Sequence, residues 1–153
     1  MWRVAVLVSA IAVLPPLAGA QQPCTTDARQ VVEQIYRQVL QRSADAGSSL
    51  WLEELQRGTT VREVVRRVAK SPEHLQRFGN QERDNVVEDM YRHLLNRGPD
   101  PEGMKSGVEL VSRSGIAPLV DRLVDSEEYR QRFGDWTVPG SSVRYCAPGE
   151  RPQ

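Results

Sequence analysis

The chain has 153 residues, 39% of them hydrophobic and 26% charged, which is the size and make-up of one globular domain and excludes a wholly disordered chain. Twenty Lys and Arg stand against twenty Asp and Glu, a formal net charge of zero. A sequence-independent electrostatic grip on nucleic acid therefore has no cation excess to run on, and no nucleic-acid partner is expected.

The first twenty residues read as an export leader. Arg3 is followed by an apolar run from Val4 to Val13, broken only by Ser9, then by Pro15-Pro16 and the small residues Ala18-Gly19-Ala20. Those are the charged, apolar and cleavage regions that export machinery reads. The run falls short of the about 20 apolar residues that a membrane span needs. Residues 1–20 are expected to be a signal peptide, cleaved or retained as an anchor, with no membrane span after cleavage and a secreted or periplasmic location. In an oxidising compartment paired thiols persist as disulfides, so Cys24 and Cys146 are expected to be bonded. Closing a loop of about 120 residues contributes on the order of 4–5 kcal/mol in the chain-entropy picture. Two isolated Cys and two isolated His, His74 and His93, lack the close ligand spacings of zinc sites. No metal and no cofactor are expected.

From there the chain repeats itself at a shift of 55 residues. Val31-Val32-Glu33 falls on Val86-Val87-Glu88, Tyr36-Arg37 on Tyr91-Arg92, Arg42 on Arg97, Asp45 on Asp100, Ser71 on Ser126 and Gln76-Arg77-Phe78-Gly79 on Gln131-Arg132-Phe133-Gly134. Each unit reads as four short helices. In the first helix Val32, Ile35, Tyr36 and Val39 recur at the spacing of one helical face, as do Val87, Met90, Tyr91 and Leu94 in its counterpart, and Thr26 or Asp27 can cap the start. Asp45 and Asp100 can cap the second helix, Pro101 suits its first position, and Gly58 and Gly115 mark its end. The third carries Val61, Val64, Val65 and Val68, or Ile116, Leu119, Val120 and Leu123, with Thr60 and Glu63 at capping-box spacing. The fourth is brief, capped by Ser71 or Ser126, and a left-handed exit is expected at Gly79 and Gly134. Val is frequent, but its spacing is three and four rather than two, and no hairpin signal intervenes. The expected fold is all-α: about eight short helices in two tandem four-helix repeats, residues 27–79 and 82–134, forming one bundle-like domain over residues 21–140. An extended C-terminal tail, residues 141–153, follows.

The candidate chemistry is sparse. His74 falls where the second unit has Tyr129 and reads as a partly buried helix residue; His93 falls on Gln38 and is expected to face water. Asp45 and Asp100 could form a two-carboxylate site, but both sit where a helix cap is needed, and capping is preferred. Arg42 and Arg97 lie three residues before them and are expected to pair across the turn, a structural role that contributes roughly 0–1 kcal/mol when exposed. The cationic face of the third helix, Arg62, Arg66, Arg67 and Lys70, has no equal in the second unit, where Asp121, Arg122 and Asp125 lie instead. Those four residues and Trp136 are the candidate partner-binding set, with a solvated helix face as the alternative. No catalytic residue is assigned.

One stretch is more specific. Gly58-Thr59-Thr60-Val61-Arg62-Glu63-Val64-Val65-Arg66 followed by Lys70-Ser71 resembles the phycobilisome linker domain, which has Gly-x-x-Val-Arg-x-Phe-Val-Arg and then a Lys-Ser turn; Val64 replaces the aromatic. The resemblance runs on through Val87-Glu88, Arg92 to Asp100, Asp125 to Tyr129, Phe133-Gly134 and Val138-Pro139, and covers roughly residues 27–140. More distantly, Arg42-x-x-Asp45 and Arg97-x-x-Asp100-x-x-Gly103 resemble an uncharacterised repeat family of secreted bacterial proteins. The main resemblance implies a helical, non-enzymatic scaffold that, in phycobilisomes on the cytosolic side of the photosynthetic membrane, sits inside rings of pigment proteins and joins them. The expectation is a non-catalytic protein-interaction module, exported, with a protein partner and an oligomeric state that the sequence leaves open. The alternatives are an exported hydrolase, or a binder of an anionic polymer or cell-envelope surface through the Arg-rich third helix.

Overall fold

Apolar side chains three and four residues apart can be buried together only on a helix, and local polar residues decide where each helix begins. The computed structural model describes residues 22–152, so the expected signal peptide, 1–20, lies outside the described residues. Among them are eight α-helices and no β-strand, an all-α fold. Helix α1 (Ala28–Ile35) starts at Asp27, whose carboxylate accepts from the amides of Arg29 and Gln30, and runs on as a π-helical turn (Tyr36–Leu40). A 3-10 turn (Ala46–Ser48) leads into α2 (Ser49–Gln56). Helix α3 (Val61–Ala69) is capped by Thr60, and α4 (Pro72–Phe78) by Ser71. Then come α5 (Arg83–Leu95), α6 (Pro101–Ser114) capped by Asp100, α7 (Ile116–Val124), and α8 (Glu127–Phe133) capped by Ser126.

Two local expectations differ from what forms. The Thr60 hydroxyl accepts from the Glu63 amide, but the Glu63 carboxylate turns to Arg66 and Arg67, so only half of the capping box is made. Gly134 leaves its helix left-handed at φ 59, whereas Gly79 stays right-handed at φ −85. Gly79 is needed for room instead, since a Cβ there would run into Leu75 O and lie 3.0 Å from Ile116 Cδ1. Left-handed exits appear at two other equivalent positions, Gln41 (φ 56) after the π-turn and Asn96 (φ 52) after α5.

Helix α1 packs on α2, and its π-turn on α3; α5 packs on α6 and α7; α3 against α7 and the π-turn against α5 join the two groups. Ile35, Val39, Val64, Val65, Met90, Leu94, Leu119 and Val120 are wholly buried between them, and each such side chain contributes about 1.5–3 kcal/mol relative to exposure. Helix α6 comes close to α5 because Gly107 has no side chain: a Cβ would stand 2.7 Å from Val87 Cγ1.

Beyond α8 the chain does not simply extend. It folds back on itself, with the Tyr145 amide donating to Trp136 O (2.8 Å) and the Val138 amide to Val143 O (3.0 Å). It also meets the other end of the domain, where the Thr25 amide donates to Arg144 O (2.8 Å) and the Cys146 amide to Thr25 O (3.0 Å). Cys24 and Cys146, 122 residues apart, are disulfide-bonded there with their Cα atoms 4.9 Å apart. Among the described residues no helix is long and apolar enough to cross a membrane.

Candidate functional site

The four cations of α3 meet carboxylates of their own chain. Arg66 donates to Asp121 (2.7 Å), Asp125 (2.5 Å) and Glu63 (3.0 Å), and Lys70 pairs with Asp121 at 2.5 Å. Arg62 pairs with Asp135 (3.0 Å), and Arg67 with Glu54 and Glu63 (3.0 Å each). The Arg66 guanidinium holds the Asp125 carboxyl below its ordinary range. The charge asymmetry visible in the sequence is thus complementarity: cations on α3 face acids on α7 and brace the contact between the two groups of helices. An anionic polymer would have to displace these internal acids, so the polymer-binding alternative loses its free cations. Arg67 is the most exposed of the four, at 48% of its side chain.

Arg42 and Arg97 have partners that local spacing did not reveal. Arg42 Nε and Nη2 donate to Glu73 at 2.5 and 2.8 Å, and Arg97 Nε and Nη2 donate to Glu128 at 2.7 and 2.6 Å. Each guanidinium lies over a ring, Tyr36 at 5.0 Å and Tyr91 at 5.3 Å. Arg42 also reaches Asp45 (3.1 Å), but Arg97 Nη1 donates to Gly98 O (2.8 Å). Asp45 and Asp100 cap, accepting from the amides of Gly47 (3.0 Å) and Gly103 (2.6 Å). The recurrence of Glu73 at Glu128 was the one signal that could have found these pairs.

His93 does not face water. It is 4% exposed, on the face of α5 that packs against α4, and its Nδ1 lies 3.1 Å from His74 Nε2, with His74 at 0%. Phe78 packs on both rings, 4.9 Å from His74 and 4.7 Å from His93. Burial, reinforced by the neighbouring His93, pushes His74 down to about 3, and burial lowers His93 as well. Both rings are neutral near pH 7. Among the described residues neither ring meets a Ser hydroxyl or a carboxylate in a hydrogen bond, the arrangement that activation of a nucleophile requires. No group of three or more His, Cys, Asp or Glu gathers among the described residues to hold a metal.

Trp136 is half-buried beside Tyr145, ring centroids 6.4 Å apart, and with Leu55, Arg57, Cys146 and Pro148 it lines a shallow cleft. Trp51 is half-buried against the core. A surface feature the sequence reading missed is Leu50 on α2, the one large apolar side chain exposed among the described residues, at 53%. Its signal was the run Leu50-Trp51-Leu52, which a single helix cannot turn wholly inward.

Comparison with known proteins places this geometry. The Phycobilisome Linker polypeptide family matches residues 24–142. The chain is 36% identical over 121 residues to Phycobiliprotein ApcE of Nostoc sp. (strain PCC 7120), covering 74% of this chain and 11% of that protein. It is 32% identical over 134 residues to the Phycobilisome 32.1 kDa linker polypeptide, phycocyanin-associated, rod 2, of Synechocystis sp. (strain PCC 6803), covering 81% and 48%. For the rod 1 polypeptide of the same organism the identity is 35% over 123 residues, covering 74% and 41%. The chain therefore spans less than half the length of these relatives. They are phycobilisome polypeptides, parts of a cytoplasmic complex, and this overturns the secreted or periplasmic location expected from the leader. On a match that takes in every helix from α1 to α8, the chain belongs to the phycobilisome linker polypeptide family.

Proposed function

We propose that the chain is a non-catalytic linker module that binds a phycobiliprotein ring and joins it to its neighbour. The family match over residues 24–142, with relatives named as phycocyanin-associated rod linkers, carries this reading. The side-chain chemistry agrees with it: the imidazoles are buried against each other and the paired Asp residues cap helices. Two units, 27–79 and 82–134, make up the module, a layout supported by the Arg42–Glu73 and Arg97–Glu128 pairs and the left-handed Gln41 and Asn96, each recurring 55 residues on. Of the partner-binding residues expected from the sequence, Trp136 and half-exposed Arg67 are open to a partner, together with Leu50, while Arg66 and Lys70 serve the α3–α7 brace and Arg62 ties α3 to Asp135 after α8.

The test is sedimentation velocity of the chain mixed with purified phycocyanin. Co-sedimentation, with phycocyanin rings driven into larger assemblies, is the expected result. Phycocyanin that sediments as it does alone overturns the reading.

A further inference from the structure

We propose that the Cys24–Cys146 disulfide is a redox-operated clasp on the C-terminal segment, closed when oxidised and opened by a thiol reductant. The segment is firmly held only at its start. Asp135 is tied to α3, its carbonyl accepting from the Arg62 amide (3.1 Å) and its carboxylate from Arg62 Nε (3.0 Å), and Val138 is wholly buried. Beyond Pro139, Cys146 is the only buried residue among those described. What holds that stretch besides the disulfide is a handful of backbone hydrogen bonds at Val138, Ser141, Tyr145, Cys146 and Thr25, the half-buried packing of Val143 and Tyr145, and Arg144, which pairs with Glu150 at 2.8 Å and donates to Gln22 O at 3.4 Å. The ladder consists of isolated bridges, Thr25 with Tyr145 and Thr137 with Arg144; its apolar contacts come from Val143 and Tyr145, each only half-buried against the core, and so short a pairing is marginal in water. Gly140, left-handed at φ 70, still lies against the helices, where a Cβ would stand 2.6 Å from Gln38 Oε1, so the segment that can leave begins beyond it. The helices do not need this stretch to close their core, whose buried side chains come from α1 to α8 and Val138, while Val143 and Tyr145 only cover its edge.

A dithiol reductant passes two electrons and two protons to the bond, leaving thiols at Cys24 and Cys146 and a disulfide on the reductant. Cytosolic thioredoxin is of that class; its presence rests on the phycobilisome reading above, whereas the local opening does not. Opening takes Tyr145, Cys146 and Pro148 away from Leu55 and Trp136, uncovering the apolar floor of the cleft they share. The thiol state thereby sets how much apolar surface this end of the module presents.

Amide hydrogen exchange on the full chain, oxidised and then reduced with dithiothreitol, tests the clasp. Reduction is expected to speed exchange at Thr25, Tyr145 and Cys146 by about tenfold or more, while α3, α5 and α7 stay protected. The double variant Cys24→Ser/Cys146→Ser should reproduce the reduced pattern without reductant. Unchanged exchange in residues 139–152, loss of protection throughout the helices, or thiols that stay oxidised in the folded protein would each overturn the proposal. Phycocyanin binding measured on both forms separates the two readings: faster exchange of the segment with no binding by either form sinks the linker function and leaves the clasp standing.

Discussion

Helices α4 and α8 begin in the same way and are filled differently. Ser71 and Ser126 share φ −64 and ψ 151, and each accepts from the amide three residues on, His74 and Tyr129. Each helix offers a carboxylate, Glu73 or Glu128, to an arginine 31 residues upstream. Yet the wholly buried side chain is an imidazole in one and a phenol in the other. The imidazole finds a partner for Nε2 in His93, though its Nδ1 is buried without one; the Tyr129 hydroxyl has none, and burial pushes its ionisation up. The polar frame sets where the backbone goes, and the group that fills the space behind it is set by its neighbours.

The largest expected effect comes from emptying that space. Tyr129→Ala is expected to cost about 3–5 kcal/mol in urea unfolding, the range for loss of a large buried aromatic. His74→Ala, removing a smaller ring, should cost less, and an equal or greater loss would break the comparison.

The next effect is in pH, and of the two helices only α4 carries a histidine to produce it. His74 titrates near 6.5 when free and is pushed down to about 3 by burial. Above pH 6.5 the ring is neutral folded or unfolded, and its full contribution is present. As pH falls from about 6.5 toward 3 the unfolded chain takes up the proton first, so stability declines at up to about 1.4 kcal/mol per pH unit for this group. His93 adds in the same direction, opposed by Asp89 nearby; around His74, Arg77 lowers and Glu73 raises its affinity for the proton. Glu73 and Glu128, held below 4.5 by their arginines, add a separate loss at lower pH, as protonation removes their pairing. Stability measured from pH 7 to 5 should flatten in His74→Tyr, which installs the α8 residue; an equally steep profile would place the titration elsewhere.

Smaller still are the arginine pairs. Their side chains are 28% exposed at Arg42 and 37% at Arg97, so solvent screens both. Arg42→Gln and Arg97→Gln are each expected to cost about 1 kcal/mol or less, and double-mutant cycles with Glu73→Gln and Glu128→Gln should return similar couplings. Unequal couplings would show that the two frames only look alike. The smallest effect is Tyr129→Phe, near zero or slightly stabilising by chemical denaturation, because the hydroxyl it removes has no hydrogen bond to lose.

The sequence by itself determined what acts over a few residues. The helical spacing of Val61, Val64, Val65 and Val68 and the caps at Asp27, Thr60, Ser71, Asp100 and Ser126 were legible, since a cap bonds an amide two or three positions away. Family membership was legible too, carried by the stretch from Gly58 to Ser71. The leader suggested a compartment that the relatives contradict, because location follows from recognition by other machinery and not from this chain's packing. Only the tertiary structure decided that Arg66 answers Asp121 and Asp125, that Arg42 answers Glu73, and that His93 turns inward to His74. These partners lie 19 to 59 residues apart, and which charge or ring meets which depends on how whole helices dock, a choice made by the shared apolar core.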